Sequence, residues 1–199
     1  MNIIARPYGC DLCYCRPDTT WERENRDIYS PDCVADWNWT PVLYARICKA
    51  GKCISPKYVS RYYDSVNFGV LLYVGGIDTA FSSCADHTSL LPTPSYSPDA
   101  LDDEANVFRV LVNGEEIFST ADYATGAFEY PKKENGRSNL KALIEDTICK
   151  ASRLTSLRIG DFVAVELKPQ TLLCSRIDDE TALKTTFRED IHTDCKIIF

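Results

Sequence analysis

The stretch "VFRVLVNGEEIFS" limits what this chain can become more than any other. Two β-rich runs meet at Asn113-Gly114, a pair able to supply the positive-φ residues of a tight turn between twisted strands. An antiparallel hairpin there commits the chain to a sheet. "DWNWTPVLYARI", from Asp36 to Ile47, reads as a strand, and "FGVLLYV" from Phe68 is apolar without alternation, as a buried strand is. Leu12 to Cys15, "LRIGDFVAVEL" after its turn at Gly160-Asp161, "TLLCSRI" and "CKIIF" predict further strands. "CKAGKC", from Cys48 to Cys53, predicts a glycine-centred turn closing a hairpin onto Ile54.

Helices are few. "SPKYVSRYYD" offers a serine cap, a proline at the first helical position, and Val59, Tyr62 and Tyr63 on one face. "LKALIEDTICKASRL" places Leu140, Leu143, Ile144, Ile148, Ala151 and Leu154 on one helical face, which fits core packing rather than a binding element. Residues 82–105, crowded with Ser, Pro, Asp and Thr, and residues 124–139 read as loops. Many strands, two helices and no internal repeat predict one mostly β, α+β domain over residues 1–199.

The charge balance excludes some functions. With 22 basic and 29 acidic residues among 199, net -7, the chain lacks the basic surface that phosphate backbones require. Its longest apolar run, Phe68 to Ile77, is about half the roughly 20 residues of a membrane span. "MNIIARPYG" has too short an apolar core for a signal peptide, so a soluble cytoplasmic protein is expected. The chain is cysteine-rich, with ten. Cys10 and Cys13 have the spacing of half a zinc site, but no second C-x-x-C follows and His87 and His192 stand apart. On a strand, Cys13 and Cys15 would instead share one face as small hydrophobes.

Several segments in order resemble the fumarylacetoacetate hydrolase family, in particular its smaller bacterial members acting on acylpyruvates. "CRPDTTW" resembles the family's lysine-proline-acidic strand end, and "SPDC" its proline-aspartate turn. "ARICKAGKCISPKYVSRYYDSVNFGV" is similar to its hairpin, helix and glycine-bearing strand. "FRVLVNGEEIFSTAD" and "ICKASRLTSLRIGDFV" resemble its next hairpin and its late helix and turn. The resemblance implies a mixed β-sandwich roll. In active relatives it implies Mg²⁺ or Mn²⁺ held by two glutamates one residue apart and by an aspartate after the glycine of a later strand. Alternate strand residues point into one site, and a hard dication wants several charged oxygens. A histidine-glutamate pair then activates water to break a carbon-carbon bond.

Carried onto this chain, the glutamate positions are Thr40 and Val42 and the aspartate position is Leu71. None offers a charged oxygen. The substrate-contacting lysine corresponds to Thr79, with Ser82 replacing a following aspartate, and the glycine-threonine-proline loop has become "VELKPQ". The family's histidine lies in an N-terminal segment with no counterpart before "DLCYCRPD". The expectation is a family fold without the family's catalysis and with no metal cofactor, serving as a structural, partner-binding or ligand-binding module.

The partners expected are a second copy in a homodimer, an active relative, or a small molecule in an apolar site lined by Trp39, Thr40, Val42, Leu71, Tyr73 and Thr79. The aromatics Trp37, Trp39, Tyr44, Tyr58, Tyr62 and Tyr63 could serve an interface or the core. The alternative is a divergent hydrolase of a dicarbonyl acid. Asp86-His87 as an acid-base pair, the carboxylates of "LDDEA" and "RIDDE", and the thiols are the other candidate catalytic groups.

Overall fold

The computed structural model of the chain describes residues 1–77, 79–93, 95–103, 105–122 and 140–199. The predicted loop 124–139 lies outside them. Thirteen strands among the described residues form two sheets. The larger sheet runs β2 (Tyr14–Arg16), β1 (Ile3–Arg6), β10 (Phe162–Glu166), β5 (Asp36–Ile47), β6 (Tyr63–Val74), β7 (Ser89–Leu90) and β3 (Trp21–Glu22), with β11 (Thr171–Ser175) also on β5. The smaller runs β4 (Ile28–Tyr29), β13 (Asp190–Ile198), β12 (Glu180–Phe187), β8 (Phe108–Val112) and β9 (Glu115–Ser119). β1 and β10, β3 and β7, and β4 and β13 pair parallel, and the other pairs are antiparallel. This is the mostly β, α+β architecture expected.

β5 and β6 are the spine of the large sheet. Val70 of β6 pairs with Pro41 in the middle of β5, a residue with no N–H to give. The proline is tolerated because it sits between two neighbours on the opposite edge. β10 pairs only as far as Val42, β11 takes over at Trp39, and the Pro41 carbonyl accepts from the Leu167 N–H.

Pleating divides the large sheet into two faces. One carries Trp37, Trp39, Leu43, Phe68, Val70 and Leu72 toward the small sheet and a long helix, Leu140–Leu154. Phe68 stacks on Phe108 with centroids 5.0 Å apart and touches Phe187 at 5.1 Å, joining the two sheets. The helix buries Leu140, Leu143, Ile144, Ile148 and Ala151 as its periodicity predicts, but Leu154, its last residue, is exposed.

The other face is concave. β2 runs into β3 through a single 3-10 turn, Asp18–Thr20, and β3 pairs with β7 on the far edge. The ends of the sheet therefore meet, and Arg16 of β2 hydrogen-bonds Ser89 of β7 and the Leu72 carbonyl of β6. The result is a roll whose interior holds a second apolar cluster built on Ile3, Ala5, Val42, Tyr44, Leu71, Leu91, Phe162 and Ala164.

Several expectations need correction. "CKAGKC" closes no hairpin onto Ile54; the partner of β5 begins at Tyr63, and Gly51 instead bridges Leu157. "SPKYVSRYYD" forms a six-residue 3-10 helix, Pro56–Arg61, with Tyr63 already in β6. Residues 82–105 are not wholly a surface loop, since Thr88 to Leu91 are buried where β7 closes the roll. Leu12 and Cys13 precede β2, so Cys13 and Cys15 share no strand face. Cys13 packs against the core and Cys15 is exposed. No disulfide joins the cysteines among the described residues, and burial pushes the Cys13 thiol up to about 11.

Candidate functional site

Alternate residues of five strands build the roll interior. On β5, Thr40, Val42 and Tyr44 point inward, with Leu71 opposite Thr40, Gly69 opposite Val42 and Tyr73 opposite Asn38 on β6. On the other side, Glu166 of β10 faces Val42 and Ala164 faces Tyr44. β1 sets Ala5 beside Ala164, and β2 sets Tyr14 and Arg16 opposite Ala5 and Ile3. Thr40, Val42 and Leu71 thus share one face as immediate neighbours.

They do not border an open cleft. Thr40, Val42 and Leu71 are each 0% exposed and Tyr73 is 3% exposed. Trp39 separates from this group: it pairs with Leu72 on the opposite face, within the main core, where the Lys168 ammonium lies 4.0 Å from its ring centroid. Thr79 belongs to the short helix Thr79–Ser82 that follows β6. Of the surveyed aromatics, Trp37, Trp39, Tyr44 and Tyr63 are buried, Tyr62 half-buried, and Tyr58 exposed, so the core claims most of them.

The donor set does not suit a hard dication. The Thr40 hydroxyl donates to the Lys168 carbonyl at 2.7 Å, while Val42 and Leu71 offer no oxygen and pack in the apolar cluster. A dication would lose its water there without gaining the carboxylates that replace it. Among the described residues, no group of three or more His, Cys, Asp or Glu side chains is arranged to hold a metal ion.

Polar groups nevertheless line one side of the interior. Glu166, 1% exposed, accepts from the Tyr73 hydroxyl at 2.6 Å, from Gln170 Nε2 at 3.3 Å and from the Tyr8 N–H at 3.1 Å. The Tyr14 and Tyr73 hydroxyls are 2.5 Å apart. Burial, opposed by nearby Arg16, pushes Tyr14 up to about 12, and burial followed by the charges of Tyr14 and Glu166 holds Tyr73 well above the ordinary phenol range. Arg16 donates to Ser89, Thr88 and the Leu72 carbonyl and lies 4.9 Å from the Tyr73 ring centroid, yet its Nη1 has no hydrogen-bond partner among the described residues. These groups can hold a proton and polarise a bound oxygen; they cannot replace three metal-bound carboxylates.

Of this cluster, sequence reasoning named only Tyr73. A glutamate ending the apolar run of β10 was its one local sign, whereas Arg16 and Tyr73 meet only through closure of the roll. The other proposed groups are placed elsewhere. His87 pairs with Glu22 rather than Asp86, its Nδ1 2.7 Å from Oε2. Asp102 of "LDDEA" pairs with Lys141, Asp178 of "RIDDE" caps Ser175, and Glu180 pairs with Lys196, as solvated acidic faces do.

No family model and no curated protein matches the chain. Solved structures do. The fumarylpyruvate hydrolase of Pseudomonas aeruginosa, in complex with Mn²⁺ and pyruvate, superposes with a TM-score of 0.73 at 13% identity, covering 100% of this chain and 90% of its own. The maleylpyruvate hydrolase of Sphingobium sp. SYK-6 gives 0.70 at 16% identity, covering 98% and 69%. The fumarylacetoacetate hydrolase of Exiguobacterium antarcticum gives 0.73 at 13%, covering 99% and 74%. With the roll, its closure and the order of elements in place, the chain carries the fold of the fumarylacetoacetate hydrolase family.

Proposed function

We propose that this protein keeps the fumarylacetoacetate hydrolase fold without its metal-dependent catalysis and serves as a structural, partner-binding or ligand-binding module. One observation carries the reading: the hydroxyl of Thr40 is spent on the Lys168 carbonyl, while Val42 and Leu71 fill an apolar cluster where the resemblance puts carboxylates. The partner we propose is a second copy of the chain or an active relative, and the setting the cytoplasm. No helix among the described residues is long and apolar enough to cross a membrane. The test is acylpyruvate cleavage followed with added Mg²⁺ or Mn²⁺. The reading expects no turnover above buffer, and turnover abolished by a chelator would sink it.

A second reading, a divergent hydrolase of a dicarbonyl acid, draws support from the buried cluster of Glu166, Tyr14, Tyr73 and Arg16 on the same face. Metal-independent cleavage lost in Glu166→Gln would favour it over the first. A dicarbonyl acid that neither binds nor reacts would count against it.

A further inference from the structure

We infer that the cavity at the rim of the large sheet, between β3 and β4, binds a small primary amine carrying an apolar body, with His87 as its acceptor. The site lies apart from the roll interior and does not depend on the proposed function. The cavity measures about 840 Å³, and its wall includes Glu22, Tyr29, Trp37, Asp86 and His87. That volume is in the range of small-molecule sites. A second hollow of about 380 Å³ shares Glu22, Asp86 and His87 and extends the space toward Trp21.

His87 is held in place by unusual means. Its φ is +60°, a left-handed conformation that a β-carbon disfavours. Its N–H donates to the Thr19 carbonyl at 3.2 Å, and its Nδ1 lies 2.7 Å from Glu22 Oε2. The Glu22 side chain is 4% exposed against 56% for His87, so a sealed carboxylate anchors a ring that reaches the cavity. Oε1 of Glu22 is committed to the Glu24 N–H at 2.7 Å. A carboxylate on Nδ1 makes that nitrogen the donor, and in the neutral ring Nε2 is then a lone-pair acceptor facing the cavity. Nε2 has no protein partner among the described residues, and neither has the Asp86 carboxylate.

Charge then selects the ligand. Glu22, Asp27 and Asp86 line the cavity against one guanidinium, Arg26, which pairs with Glu24. An anion would meet net repulsion, whereas an ammonium finds Nε2 and Asp86 as acceptors. The exposed Tyr29 ring supplies an apolar wall and a negative π-face for the same cation.

Isothermal titration of the full chain with tyramine tests this, with 4-hydroxyphenylacetate as the same ring carrying the opposite charge. Tyramine should bind saturably and the acid should not. His87→Gln and Asp86→Asn should each raise the tyramine Kd by about tenfold or more, a lost charge-assisted hydrogen bond. Asp86 is exposed and unpaired, so its variant retains the fold if His87→Gln loses it. Absence of saturable tyramine binding, equal binding of the two probes, or an unchanged Kd in a folded variant would each overturn the assignment.

Discussion

Glu166 shows how a single residue survives inside the roll. A carboxylate sealed from water is costly unless its lone pairs are answered, and here phenol, amide and backbone donors answer them. Replacing Tyr73 by Phe removes the closest donor and should destabilise the fold by ~1–3 kcal/mol in urea denaturation. A carboxylate at Val42 would stand opposite Glu166 with no donor prepared for it. Val42→Glu should therefore lower stability by ~3 kcal/mol or more, and a variant as stable as the parent would mean that the interior is wetter than its burial indicates. Thr40 and Val42 were legible as neighbours because period-two alternation puts them on one face of β5, and Leu71 joined them only through the resemblance. Glu166, Arg16 and Glu22 were not, because Tyr73, Ser89 and His87 lie dozens of residues away and meet them only in the assembled sheet.

At the scale of elements, close approach matters most where β7 meets β6. A Cβ added at Gly69 would lie 2.4 Å from the Leu90 carbonyl oxygen, so the chain needs a residue without one there. Gly69→Ala should force these strands apart, at a cost of ~1–3 kcal/mol, read as a lower thermal midpoint. The elements that could be read from sequence are those with complete local signals. Asn113 and Gly114 take φ of +50° and +85°, the turn their chemistry prescribes, and β5 spans the whole run from Asp36 to Ile47. β12 escaped notice because two of its four inward residues are Thr181 and Thr185, which blur its alternation. β7 escaped because two residues inside a polar stretch carry no period, and only pairing on both sides makes them a strand.

Closure of the roll gives the whole molecule a pH limit. Burial raises the phenol pKa of Tyr14, Tyr44 and Tyr73 above the ordinary value of 10.0. The folded state thus holds protons that the unfolded chain releases. The stability this linkage supplies is fully present below about pH 10 and is lost as pH rises toward the folded values, about 12 for Tyr14. Urea midpoints should fall steeply above about pH 10, and tyrosinate absorbance should show these three residues ionising only as the chain unfolds. The central claim concerns the same interior: a family fold whose metal positions have become apolar packing. Titration of the purified chain with Mn²⁺, read together with acylpyruvate cleavage, tests it most directly. The account predicts no saturable uptake that supports cleavage. Saturable Mn²⁺ binding with chelator-sensitive turnover would contradict it.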